Sequence, residues 1–241
     1  MINLKNLNQT ATIDFDAGET ILINKPTGWS SFDVVNKIKK ALKIKKIGHS
    51  GTLDPFADGL LILVTGKKTK EAGRFQNLPK TYVGTIALGQ TTDTLDTEGE
   101  ITERKPVPPL TSEKIAAVLS RFLGESLQTP PVYSALKLNG RRAYKLAREN
   151  REVELAPRKI QIYALELLDF SKAELTIRVH CSKGTYVRAL ARDIAKSLGT
   201  VGFLKSLTRT EIGPFSLEEA LEVDAFIDTV KRKQRATAAK Q

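Results

Sequence analysis

The sequence is poor in the residues that carry most metal and redox chemistry. Of its 241 residues one is cysteine, Cys181, and two are histidine, His49 and His180. A single cysteine excludes an intrachain disulfide, and one Cys with two His cannot fill a four-ligand zinc site without carboxylates. No Walker sequence and no Gly-x-Gly-x-x-Gly after a strand is present, so nucleotide-cofactor folds have no support. The longest apolar run, Leu60–Val64, falls far short of the roughly 20 residues that a membrane span needs. Met1–Asn6 leads into no long apolar stretch, so no signal peptide is evident. Neither metal nor membrane is expected, and the expected location is cytoplasmic. Aromatic residues make up 6% of the chain and do not gather on one strand pattern, which argues against a sheet-based module that stacks RNA bases.

What the sequence has in excess is positive charge. Its 38 Lys and Arg against 27 Asp and Glu leave a net charge of +11. Clustered cations on a phosphate backbone release counterions, so the balance favours a polyanionic partner over a merely solubilising surface. Six lysines fall within residues 37–46, directly before a stretch rich in glycine.

Interleaved strand and helix patterns give an α+β fold with a mixed, largely antiparallel central sheet flanked by helices. Residues 1–18 read as an arm or irregular edge strand and Thr20–Asn24 as a buried strand. Ser30 and Ser31 offer N-caps for a helix to about Lys43. Leu60–Val64 and Thr81–Leu88 read as strands, and Thr111–Phe122 as a capped helix. Ile160–Phe170 and Ala173–Cys181 form a pair about Ser171-Lys172. A helix after Thr185, its expected cap, ends at Gly199. Its polar stripe, Arg188, Arg192 and Lys196, is expected to be solvated. Ser206–Ile212 is a last strand, Glu218–Val230 a terminal helix, and 231–241 a basic tail expected to fray.

The stretch Gly48-His49-Ser50-Gly51-Thr52-Leu53-Asp54-Pro55-Phe56-Ala57-Asp58-Gly59-Leu60-Leu61 organises the chain. Glycine, proline and aspartate punctuate turns for different reasons, so this is a shaped loop feeding a strand. Ser50 directly follows His49, outside any Gly-x-Ser-x-Gly elbow, which excludes Ser-His-Asp hydrolysis. Cys181 packs in a sheet with no base beside it.

The chain resembles the TruB family of bacterial tRNA pseudouridine-55 synthases along nearly its whole length. Lys25-Pro26-Thr27-Gly28 with Ser31-x-Asp33-Val34-Val35 is similar to the opening motif. Gly48-His49-x-Gly51-Thr52-Leu53-Asp54-Pro55 with Gly59-Leu60-Leu61 is similar to the catalytic one. Lys80-x-Tyr82, Thr92-Asp93-Thr94-x-Asp96-x-x-Gly99 and Gln128-x-Pro130-Pro131-x-Tyr133-Ser134-Ala135-x-Lys137 follow. The last are Cys181-Ser182-x-Gly184-Thr185-Tyr186-x-Arg188 and Leu207-x-Arg209-Thr210-x-x-Gly213-Pro214-Phe215. Seven motifs in the right order exclude the reading of the first loop as two turns alone.

The resemblance implies the pseudouridine synthase fold and a cofactor-free isomerisation of the T-loop uridine at position 55 of tRNA. The N–C1′ bond breaks, the base rotates, and C5 joins C1′. Asp54 is implied as nucleophile, or alternatively as the base that removes a ribose proton. Arg188 is implied as its charge partner. Tyr82 would stack on uracil, Tyr186 and Leu207 would wall the pocket, and His49 would enter the space left by the flipped base. Lys25, Lys43, Lys45, Lys46, Lys80, Arg141, Arg142, Lys145 and Arg148 are the expected phosphate contacts, and residues 129–151 match the segment that closes over RNA. The implied partner is the tRNA T-arm stem-loop, with no obligate protein partner and a monomeric enzyme. Residues 1–230 would form the catalytic domain, without the C-terminal PUA domain usual in the family. The rival expectations are a sister synthase acting on another RNA and a tRNA-folding chaperone.

Overall fold

The computed structural model describes residues 1–8, 13–134 and 155–239, together with the backbone of 137–138 and 141–142. In chain order the strands are β1 (Thr20–Lys25), β2 (Ile47–Ser50), β3 (Asp58–Thr65), β4 (Lys80–Leu88), β5 (Gln90–Thr92), β6 (Ile101–Arg104) and β7 (Gly124–Gln128). They continue with β8 (Lys137–Leu138), β9 (Arg141–Arg142), β10 (Arg158–Phe170), β11 (Glu174–Cys181), β12 (Gly202–Ile212), β13 (Phe215–Ser216) and β14 (Leu221–Glu222). The helices are α1 (Ser31–Leu42), α2 (Ala72–Gln76), α3 (Ser112–Ser120), α4 (Val187–Ser197) and α5 (Val223–Ala238). The chain forms two compact units, Met1–Tyr82 with Thr208–Gln241, and Val83–Leu207. The division falls within β4 and β12.

In the first unit the strand order is β14-β1-β3-β12. β1 runs antiparallel to β3 and parallel to β14, and β3 runs parallel to β12. The unbroken apolar run of β3 has a direct cause: both faces of the strand are covered. Leu61 and Leu63 join Val34, Ile38, Phe226 and Val230 from α1 and α5 on one face. Leu60, Ile62 and Val64 meet Phe75 and Ile212 on the other. α1 starts at Ser30, which shares a reciprocal capping box with Asp33, and stops at Lys43 in the left-handed region (φ 54°).

Of the two readings of the first residues, the irregular edge strand fits: Ile2 bridges to Ile21, and Ile2 and Leu7 are buried in the core. The other end departs from expectation. The terminal helix begins at Val223, after a 3-10 turn at Leu217–Glu219, and runs on through Ala238. Val223, Phe226, Ile227 and Val230 anchor it, and Lys233 donates to the Asn8 carbonyl at 2.9 Å. The basic segment expected to fray is therefore helical.

In the second unit the order is β4-β11-β10-β7, with β10 antiparallel to both neighbours. β11 alternates, as a half-buried strand does: Leu175, Ile177, Val179 and Cys181 are fully buried, while Arg178 is exposed. α3, capped by Thr111, packs on β10 and α4. α4 begins at Tyr186 rather than Thr185, without a side-chain cap, and Gly199 follows it at φ +91°. Mixed pairing in the first unit and antiparallel pairing in the second, with helices against the strands, agree with the mixed, largely antiparallel expectation.

Candidate active site

Asp54 lies in the first unit, on the stretch between β2 and β3. β2 pairs with the far part of β3, from Ile47↔Thr65 to Ser50↔Ile62. β12 pairs with its beginning, Thr208↔Asp58 and Arg209↔Gly59. The chain thus leaves the sheet after Ser50 and re-enters at Asp58, with β12 beside the re-entry point.

Several contacts hold this excursion. The Ser31 hydroxyl accepts from Leu53 N at 2.9 Å and donates to Leu53 O at 3.3 Å. Gly28 N donates to Pro55 O at 2.8 Å, and Ala57 N turns back to Asp54 O at 3.2 Å. Leu53, Phe56 and Ala57 are buried, leaving Asp54 half-buried between fixed neighbours. That is the arrangement a reacting side chain needs, since its backbone cannot wander.

Lys25 belongs to this scaffold and not to the phosphate contacts expected of it. It is 0% exposed, and its ammonium donates to the carbonyls of Pro26 (2.9 Å), Trp29 (2.5 Å) and Pro55 (3.4 Å). Lys80 is corrected for the same reason: it is buried and donates to Gln76 O at 2.6 Å and Leu78 O at 2.7 Å. Neither ammonium is available to RNA. Lys43, Lys45 and Lys46 are exposed, although Lys45 lies 3.2 Å from Asp16.

His49 sits on β2 rather than in a loop, and is half-buried. Its Nδ1 is buried without a hydrogen-bond partner among the described residues. Burial, and secondarily the positive charge of Arg209, push its pKa below the ordinary histidine value, with the Gly51 backbone opposing. Tyr82, at the edge of this unit, is half-buried on β4.

The second unit holds Tyr186, Arg188 and Leu207. Gln128 brackets Tyr186: its amide accepts from Tyr186 N at 2.8 Å and donates to Tyr186 O at 3.1 Å. Arg188 was expected on a solvated stripe, and here the structure differs. It is buried, with Nη1 3.1 Å from Asp96 Oδ2. Nη1 also donates to Thr94 O at 2.7 Å, and Nη2 to Tyr133 O at 2.9 Å. Asp96 is itself fixed, its other oxygen accepting from Thr94 Oγ1 (2.5 Å) and Glu98 N (3.0 Å). The turn needs Gly99, because a Cβ there would come within 2.1 Å of Asp93 Oδ1. Leu207 is buried on β12. The side chains of Arg141 and Arg142, and all of Lys145 and Arg148, lie outside the described residues.

Sequence reasoning missed Ser31, Asp96, Gln128 and Arg209 as supports. All four stand within the quoted motifs, which was the available signal, but their partners are far away along the chain.

The residues from 39 to 187 match the model of the TruB family pseudouridylate synthase N-terminal domain. The chain belongs to this family of isomerases. A relative from Parabacteroides distasonis, "tRNA pseudouridine synthase B", is 47% identical over 90% of this chain and 96% of its own length. A protein of the same name from Francisella philomiragia is 48% identical over 91% of this chain and 73% of its own. Among solved structures, a Cbf5-Nop10-Gar1 complex matches with 29% identity and a TM-score of 0.70. That match covers 89% of this chain and 54% of the other, so the chain spans about half the length of that protein.

Proposed function

We propose that this protein is a tRNA pseudouridine synthase that isomerises the T-loop uridine at position 55, with Asp54 as the reacting carboxylate. The coarser part, pseudouridine formation in tRNA, is carried by one observation. Relatives named tRNA pseudouridine synthase B align at 44–48% identity over about nine-tenths of this chain. The identity to the Cbf5-containing complex is lower, at 29%, which favours tRNA over the substrate of a sister enzyme.

The chemistry needs no external oxidant or reductant. The N1–C1′ bond of uridine breaks and a C5–C1′ bond forms; the C5 hydrogen leaves as a proton, and N1 gains one. Asp54 acts either by adding to the base or sugar or by removing a ribose proton. Both routes need a carboxylate held still, and the tethering of Leu53 and Pro55 supports that reading. A uridine stacked in an RNA loop must leave its stack to reach a side chain in a protein site, so base flipping is part of the proposal. His49, whose pKa burial lowers, fits the part of the side chain that fills the vacated space. Tyr82 stacks on the flipped uracil, and Tyr186 and Leu207 supply further ring-facing surface. Arg188, fixed by Asp96, supplies positive charge to the reaction. Lys43, Lys45 and Lys46 meet phosphates, as do Arg141, Arg142, Lys145 and Arg148.

The test is incubation with an unmodified tRNA transcript, without cofactor or added metal, followed by mapping of pseudouridine at nucleotide resolution. One modified T-loop uridine, absent with Asp54→Asn, is the expected result. Tight tRNA binding with no modification by the native protein would favour a chaperone and contradict the proposal.

A further inference from the structure

Arg209 is 1% exposed, and no carboxylate lies within ion-pair distance of it among the described residues. Burying a guanidinium costs several kcal/mol unless its donors are well used. Here they reach across the opening between β2 and β3. Nε donates to Leu60 O at 2.8 Å, on the strand that receives the excursion, and Nη2 donates to Gly51 O at 3.2 Å, where the excursion leaves. In the chain Asp54 falls between Gly51 and Leu60.

The backbone geometry is built around this approach. At Gly59 (φ +103°) a Cβ would stand 2.5 Å from Arg209 O and 2.7 Å from Arg209 N. Only glycine lets β3 come this close to β12. Gly51 (φ +84°) likewise turns its carbonyl toward the guanidinium, with Arg209 Nη1 3.7 Å from where its Cβ would stand. A planar guanidinium presents its donors in a rigid fork that sets the separation of two carbonyls, which the rotatable donors of a lysine ammonium on its flexible stem do not.

We infer that Arg209 is a positioning residue. Its guanidinium fixes the separation of the two ends of the segment that carries Asp54, and so sets where that carboxylate stands. The consequence for turnover rests on the reading of Asp54 as the reacting group; the consequence for loop order does not. An arginine that merely glued two strands would pin regular pairing partners. This one spans the irregular segment that begins where the β2–β3 ladder stops, after the pair Ser50↔Ile62.

The experiment compares the full-length native protein with Arg209→Lys, using tRNA transcript as substrate. Single-turnover rate at saturating tRNA should fall about a hundredfold, the scale of an ångström-level misplacement. The tRNA dissociation constant should stay within about twofold, since no phosphate contact is removed. Amide hydrogen exchange should speed selectively in residues 51–58, with the β1–β3 core unchanged. If Arg209→Lys fails to fold, Arg209→Gln carries the same three comparisons. A folded variant with the native rate and native exchange in 51–58 overturns the inference. So does exchange that speeds equally through the whole unit, which marks a purely structural role. Asp54→Asn, run alongside, separates the two readings: native turnover by that variant removes Asp54 from the chemistry but leaves the exchange result to judge Arg209.

Discussion

Arg188 and Asp96 form a buried ion pair, 3.1 Å between Nη1 and Oδ2, with side chains 5% and 2% exposed. The guanidinium also donates to Thr94 O and Tyr133 O, and the carboxylate accepts from Thr94 Oγ1 and Glu98 N. A pair so satisfied is worth little over an apolar replacement, but losing one partner strands a buried charge. Asp96→Asn should therefore lower stability by about 3 kcal/mol, the low end of the usual range for such breaks. Urea unfolding measures it. A double variant with Arg188→Met should lose less than the sum of the single changes, because the stranded charge is gone.

Gln128 offers a milder perturbation. Its amide holds the backbone of Tyr186 from both sides, so Gln128→Ala should cost about 1–2 kcal/mol for two hydrogen bonds. If Tyr186 shapes the uridine site, kcat/KM should drop about tenfold or more, with tRNA binding little changed. Steady-state kinetics on transcript tRNA decides.

His49 gives the protein a pH dependence with a definite sign. Its pKa is lowered in the folded state by burial first and the Arg209 charge second, from a starting value of 6.5. On acidification the unfolded chain takes up the proton first. The contribution is intact above the unfolded pKa and is lost as pH falls from there through the lowered folded value. His49→Asn should lose less stability than the native protein between about pH 7.5 and pH 5.5. Thermal unfolding at the two pH values tests this, and equal losses would contradict it.

Lys43 and Lys46 are exposed, and no carboxylate pairs with either among the described residues. As phosphate contacts they should show in the salt dependence of tRNA binding. Reversing both to glutamate should reduce the slope of log K against log salt by about 2, and should weaken binding alike for tRNAs of different sequence. An unchanged slope removes them from the interface.

Much of this was legible in the sequence where the governing interactions are local. The run Leu60–Val64 announced a strand, Ser30 announced the start of α1, and Ser171-Lys172 announced the turn between β10 and β11. The long-range partners were not legible. Helical spacing alone placed Arg188 on a solvated stripe, because it reports only neighbours on α4; the resemblance placed it at the site, but Asp96, its partner at 3.1 Å, arrives from a turn far earlier in the chain. Lys25 and Lys80 looked like surface cations because nothing local reveals that three main-chain carbonyls converge on each. The terminal helix runs on past Val230, where Lys233 donates to Asn8 O, a contact that charge content alone does not disclose.

Under the proposed function, the Asp54 carboxylate isomerises a tRNA uridine without any external reagent. Tritium placed at C5 of uridine in transcript tRNA reports this directly, since forming the C5–C1′ bond releases that hydrogen to water. In a single turnover with chelator present, the native protein should release one equivalent per tRNA. Asp54→Asn should bind the same tRNA with unchanged affinity and release none. Release by Asp54→Asn at the native rate would contradict the account.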